Sequence, residues 1–295
     1  MKIEGRKSKR QLEYQDYVNA TQQILDQSKL ETVPYKIKVA GKEFIIYPNV
    51  FSPKYFHDTK IFAENLPVKE GEEMLEIGPA TGVVSIMAAY RGARKVLAID
   101  INPDAVKNTK ANIELHQMKD KVEVRQGDLY SPLLPKEKFD TIFWNTPFGF
   151  VENKDIPDLE KAVFDPGYVS TEKFITEAKQ HLKQDGRLLI GFSTTLGRYD
   201  LLQQFVEKAH LSLRSISKTV SEEIHPVTFE IFEAEKICVD KKLQCANKGL
   251  GTSTTKGTLH EKNPSPDLSH SLVLRQCECG RECLAVGGPQ YELSK

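Results

Sequence analysis

The run Met74-Leu-Glu-Ile-Gly-Pro-Ala-Thr-Gly82 constrains this chain more than any other. An apolar strand carrying one acid, Glu76, passes directly into a turn of small residues. A helical stretch follows, and a second apolar strand closes on Asp100, 18 residues beyond Gly82. Strand, tight turn, helix and strand in that order make a nucleotide-binding βαβ unit. The turn lets the backbone approach a ligand, and the acid at the second strand's end meets a ribose. A dinucleotide turn, G-x-G-x-x-G, would begin at Gly78 and need small residues at 80 and 83. Ala80 and Val83 stand there, and the next glycine is Gly82.

The periodicity on either side extends this unit into a sheet. Residues 9 to about 30 read as a polar helix, Tyr35–Val39 and Phe44–Tyr47 as a hairpin around Gly41, and Tyr55–Leu66 as a short helix. Val83, Ile86, Met87 and Tyr90 share one helical face. Asn102 and Pro103 form the cap and first turn of another helix, with Ala105, Val106, Thr109 and Ile113 inward. Strands are expected at Val122–Val124, Thr141–Trp144 and Leu188–Ile190. A helix carrying Ile175, Ala178 and Leu182 is expected to stop near Gly186. Leu201, Phe205 and Ala209 line a last helix, and alternating strands at 211–216 and 227–232 finish the pattern. Residues 246–270 are rich in Ser, Thr, Gly, Lys, Asn and Pro, too polar to offset the entropy of ordering, so a disordered tail is expected. The resulting division is 1–52 extension, 53–238 core domain and 239–295 tail.

Composition narrows the class. The formal charge is zero, which argues against a protein living on bulk phosphate contacts. No apolar run reaches the ~20 residues of a membrane span. Met1–Arg10 is basic without an apolar stretch behind it, so no secretory signal is expected and a cytoplasmic setting fits. All five cysteines lie at or beyond Cys238, which disfavours a disulfide framework.

The pattern E-x-G-x-A-x-G over Glu76–Gly82 resembles motif I of the class I S-adenosylmethionine-dependent methyltransferases. Phe143-Trp-Asn-Thr-Pro-Phe148 is similar to their motif IV, (Asn/Asp)-Pro-Pro-(Phe/Tyr). Tyr47-Pro-Asn-Val-Phe-Ser-Pro53, followed by Asp58, resembles the Val-Phe-Ser segment of the "small domain" type. That type includes release-factor glutamine-N5 and ribosomal RNA guanine-N2 enzymes. The resemblance covers about residues 44–234 and implies a Rossmann-like, seven-stranded α/β sheet whose last strand runs antiparallel.

It also implies roles. Gly78, Ala80 and Gly82 would form the cofactor turn, and Glu76 would orient the methionyl amino group of S-adenosylmethionine. Asp100, with Ile101 beside it, would accept the ribose hydroxyls. Asp128 would accept from the adenine amino group, with the Leu129 N–H facing the ring. Asn145 Oδ1 and the Thr146 carbonyl would each accept an N–H of the acceptor nitrogen, Pro147 would shape the loop, and Phe148 would stack on the planar group. A delocalised amide or exocyclic nitrogen is a poor nucleophile, so alignment rather than a strong base is what such a site must supply. Thr146 stands where the motif has its first proline, and Ala80 where it has its middle glycine.

The expected activity is therefore methyl transfer to a planar amino or amide nitrogen, on a protein glutamine or a nucleobase. The acceptor is a protein, an RNA or a small molecule, and no membrane partner is expected. Ala80 and Thr146 motivate one rival, a methyltransferase-fold scaffold with weakened catalysis. A nicotinamide oxidoreductase is the other, disfavoured by Val83. Trp144 reads as strand core; Phe51 and Phe56 as a cofactor lid or plain packing; Phe164-Asp-Pro-Gly-Tyr168 as a substrate lid. Cys277, Cys279 and Cys283, with Cys245 or His270, could hold a metal but lack zinc-finger spacing, and none is expected. Arg6–Arg10 reads as a solvated basic terminus.

Overall fold

The computed structural model describes residues 9–152, 155–222 and 226–236, with short strands at 273–276 and 282–285. Chain contacts divide it into two units, Met1–Lys236 and Ile237–Lys295.

The first unit opens with helix α1 (Lys9–Ser28) and a hairpin, β1 (Tyr35–Val39) and β2 (Lys42–Ile46), followed by α2 (Asp58–Asn65). The central run is β3 (Glu73–Ile77), α3 (Val83–Tyr90), β4 (Lys95–Asp100), α4 (Pro103–Leu115), β5 (Val122–Gln126) and β6 (Phe139–Asn145). Two short strands follow, β7 (Gly149–Val151) and β8 (Phe164–Pro166), paired in parallel. Then come α5 (Val169–Glu177), β9 (Leu182–Ser193), α6 (Tyr199–Lys208), β10 (Leu211–Ser221) and β11 (Val227–Lys236).

Seven strands form one sheet in the order β10-β11-β9-β6-β3-β4-β5. β3, β4, β5, β6 and β9 pair in parallel, while β11 runs antiparallel to both its neighbours. This is the Rossmann-like methyltransferase sheet that the strand–helix alternation implies. Helices cover both faces, so its central strands read as nearly continuous apolar runs. Side-chain alternation splits each strand between two cores. Met74, Val96 and Ala98 pack with α2, α3, α4 and the hairpin; Leu75, Ile77, Leu97 and Ile99 pack with α5 and α6.

One element differs from the sequence reading. Leu182 is the first residue of β9, not the end of a helix; α5 ends at Glu177 and passes through a 3₁₀ turn, Ala178–Gln180. Gly186 lies inside β9, where a Cβ would come within 2.8 Å of the Phe139 carbonyl oxygen, and the β6–β9 register shifts between Phe139 and Thr141. The glycine therefore marks a close strand approach at an irregularity rather than a helix stop. Beyond the first unit the described residues are two short strands. There β12 (Val273–Gln276) and β13 (Glu282–Ala285) form an antiparallel pair. Their Val-Leu and Leu-Ala runs give this stretch the apolar content that the preceding residues lack. The segment 246–270, Arg6–Ser8, Cys245, His270, Cys277 and Cys279 lie outside the described residues. Among the described residues no group of His, Cys, Asp or Glu is placed to hold a metal ion, and no helix is long and apolar enough to cross a membrane.

Candidate active site

In a doubly wound sheet, ligands bind where neighbouring strands send their connections to opposite sides. Here that point lies between β3 and β6, whose ends run side by side with Ile77 opposite Trp144. A cavity of about 440 Å³ opens at this edge. Gly78, Ala80, Asp100, Ile101, Asp128, Leu129, Asn145 and Pro147 all line it.

The turn after β3 is left-handed at Gly78 (φ +62°), Ala80 (φ +51°) and Gly82 (φ +77°). At Gly78 a Cβ would lie 2.9 Å from Trp144 Nε1, so only glycine lets the turn close over the indole. At Gly82 it would lie 2.9 Å from Thr109 Cγ2. That glycine serves the packing of the turn on α4 and is not on the cavity wall.

Asp100 is buried at the end of β4. Its Oδ2 accepts from the Ala80 N–H (3.0 Å) and its Oδ1 from the Asn102 N–H (2.9 Å), so one carboxylate fixes the turn and the start of α4 together. Burial pushes its pKa up to about 6 against the pull of those N–H groups, with Asp158 adding a small upward push. Asp128 is more exposed, 3.6 Å from Lys173 Nζ. Leu129 beside it is buried and left-handed (φ +47°). Ala80 and Leu129 thus place two non-glycine left-handed residues at one cavity edge.

Glu76 is placed otherwise than expected. It shares the Met74 side of β3, turned toward α3, where the Ser85 hydroxyl donates to it. It is buried behind the turn and absent from the cavity wall. Burial, with Ser85 pulling the other way, raises its pKa to about 8.

Asn145 ends β6. Its Nδ2 donates to Asp58 Oδ2 at 2.7 Å, while Asn145 Oδ1 and Asp58 Oδ1 are buried with no partner. Burial also raises the Asp58 pKa. Thr146 replaces the rigidity of a proline with two anchors: its N–H (3.0 Å) and its hydroxyl (2.8 Å) both donate to the Gly191 carbonyl. Phe148 packs against Phe192 and Phe229, and its carbonyl accepts from the buried Tyr168 hydroxyl. Thr146 and Phe148 line a second, smaller cavity rather than the cofactor one.

Several wall residues escaped the sequence reading. Trp144 is core, as expected, but also faces the cavity. Asp158 and Lys161 enter from the β7–β8 connection and carry no motif. Phe51 lines both cavities and stacks on Phe56 at 4.4 Å. Asp58 stood out in the segment before β3, but its partner lies 87 positions away. Within Phe164–Tyr168, Asp165 accepts from the Thr171 N–H and hydroxyl, both at 2.8 Å, and so secures the start of α5.

A doubly wound sheet that finishes with an antiparallel strand, with an acid at the end of β4 and a glycine turn after β3, is the arrangement of the class I S-adenosylmethionine-dependent methyltransferases. The model of the methyltransferase small domain family matches residues 41–216. The chain is 31% identical over 172 residues to the Methanocaldococcus jannaschii protein named "Putative protein N5-glutamine methyltransferase", covering 57% of this chain and 84% of that one. It is 29% identical over 195 residues to the release factor glutamine methyltransferase of Koribacter versatilis, covering 61% and 69%. The crystal structure of Methanocaldococcus jannaschii Trm5 in complex with adenosine shares the fold, with 18% identity and a TM-score of 0.50 over 70% of this chain and 57% of that one. The chain belongs to the methyltransferase small domain family. Its cofactor is S-adenosylmethionine, and the turn closed over Trp144 and the acceptor-only Asp100 carboxylate fit an adenosine ribose.

Proposed function

We propose that the chain methylates a planar amide nitrogen, that of a protein glutamine side chain. S-adenosylmethionine supplies a methyl carbon made electrophilic by its sulfonium. The chain's own residues hold and align. Asp100 accepts the ribose hydroxyls, Leu129 and Ile101 flank the base, and Asp128 accepts from its amino group. Asn145 Oδ1 and the Thr146 carbonyl accept the two N–H groups of the acceptor, turning its lone pair toward the methyl carbon. Alignment of this kind can contribute several kcal/mol to barrier lowering.

The observation carrying this reading is Asn145, a residue of the cofactor cavity wall whose Oδ1 is buried with no hydrogen-bond partner. A buried oxygen left without a hydrogen bond is costly, so a donor is its natural complement. The named activities of the relatives support an amide as that donor. The test is incubation of cell extract with tritiated cofactor, followed by hydrolysis and mass analysis. Label is expected in protein as N5-methylglutamine; label confined to RNA would replace the acceptor, and label nowhere would refute the transfer. Asn145→Ala should keep cofactor affinity within about twofold and lower the rate by about a hundredfold.

A further inference from the structure

The second cavity, about 170 Å³, is lined by Val18, Thr21 and Ile24 of α1, by Phe148 and Phe229, and by Asp58. Among the described residues neither Lys nor Arg lines it, and it shares Phe51, Ala162 and Phe164 with the cofactor cavity. Asp58 faces this chamber while Asn145 faces the cofactor cavity, so their 2.7 Å hydrogen bond spans the boundary between the two. Helix α1 is fastened over the chamber by Tyr14, whose hydroxyl accepts from the Phe150 N–H and donates to the Phe150 carbonyl at 3.4 Å.

We propose that this chamber is the port through which the acceptor reaches Asn145, with α1 as its outer wall and Asp58 as the positioning residue at its inner end. A carboxylate only accepts, so Asp58 holds the Asn145 amide with nitrogen toward itself and oxygen free. Without that grip the amide turns over and presents its NH₂ to an incoming NH₂, two donors facing each other. The largely apolar walls, with Asp58 at the inner end, suit a neutral amide on a slim stem, and no described Lys or Arg lines them to pair with a phosphodiester. The port rests on the methyl-transfer reading above, and the experiment separates their failures.

The native cysteines all lie at or beyond Cys238, so Thr21→Cys places a new thiol on the chamber wall. The full chain is treated with methyl and then benzyl methanethiosulfonate, with wild type treated alike, and assayed with tritiated cofactor on the protein fraction of a cell extract. Transfer should fall as the attached group grows, by at least about tenfold for benzyl, while calorimetric cofactor affinity stays within about twofold. A benzyl-modified protein transferring at the wild-type rate overturns the port. Unmodified wild type that labels nothing overturns the methyl-transfer reading and the port with it. For the positioning role, Asp58→Asn should lower kcat at least about tenfold with cofactor KM within about twofold. It should also shift the ¹⁵N side-chain resonances of Asn145. An unchanged kcat with unmoved resonances overturns that role.

Discussion

At the scale of single residues, the site depends on side chains whose burial is set against their charge. Asp100 has to be ionised to accept both ribose hydroxyls, yet burial holds its pKa near 6. Cofactor binding favours the ionised form, so affinity should be constant above about pH 7 and weaken about tenfold per unit below about pH 5.5. Isothermal titration across that range checks the sign; Asp100→Ala should abolish binding at every pH. Ala80 poses a different conflict, because it keeps a methyl group on a backbone at φ +51°. Left-handed backbone costs a non-glycine residue roughly 1–2 kcal/mol, and glycine gives back roughly 0.4–1 kcal/mol through the freer unfolded chain. Ala80→Gly should therefore stabilise the fold by up to about 1 kcal/mol in urea titration, with cofactor affinity unchanged or higher. The substitution that suggested a weakened site is tolerated because the N–H of Ala80 still reaches Asp100.

At the scale of elements, buried asparagines of α4 join the N-terminal hairpin to the cofactor turn. Asn112 accepts from the Ile45 N–H (2.8 Å) and donates to the Ile45 (2.8 Å) and Thr81 (2.9 Å) carbonyls. Asn108 accepts from the Tyr47 N–H at 2.9 Å. Asn112→Ala leaves buried backbone groups of β2 and the turn unpaired, and should cost about 2–4 kcal/mol in chemical denaturation. In the sequence these residues are only polar positions on a helix, since their partners lie 31, 61 and 67 positions away. Gly186 likewise has its role set by a residue distant in sequence. Its space is taken by Phe139 of another strand, so Gly186→Val should destabilise by about 1–3 kcal/mol.

At the scale of the whole molecule, two acids tie stability to pH. Glu76 and Asp100 have folded-state pKa values of about 8 and about 6, both above their ordinary values. Their contribution is full below about pH 4 and is lost as pH rises through about 6 and then about 8. Glu76→Gln, an isostere of the protonated acid, should remove its share of that loss, giving a flatter melting temperature between about pH 5 and 8. By itself, the sequence determined the strand–helix alternation, the antiparallel finish and the acids and small residues at successive strand ends. Apolar period and turn chemistry are local properties, so a single chain displays them. Tertiary structure decided which acids share a cavity. Asp100 and Asp128 face it, whereas the alternation of β3 turns Glu76 toward Ser85. It also decided the Asp58–Asn145 bond and the placement of α1 beside Phe148. Those depend on distances closed only by folding, because hydrogen-bond partners and cavity walls are chosen by proximity in space and leave no periodic trace along the chain.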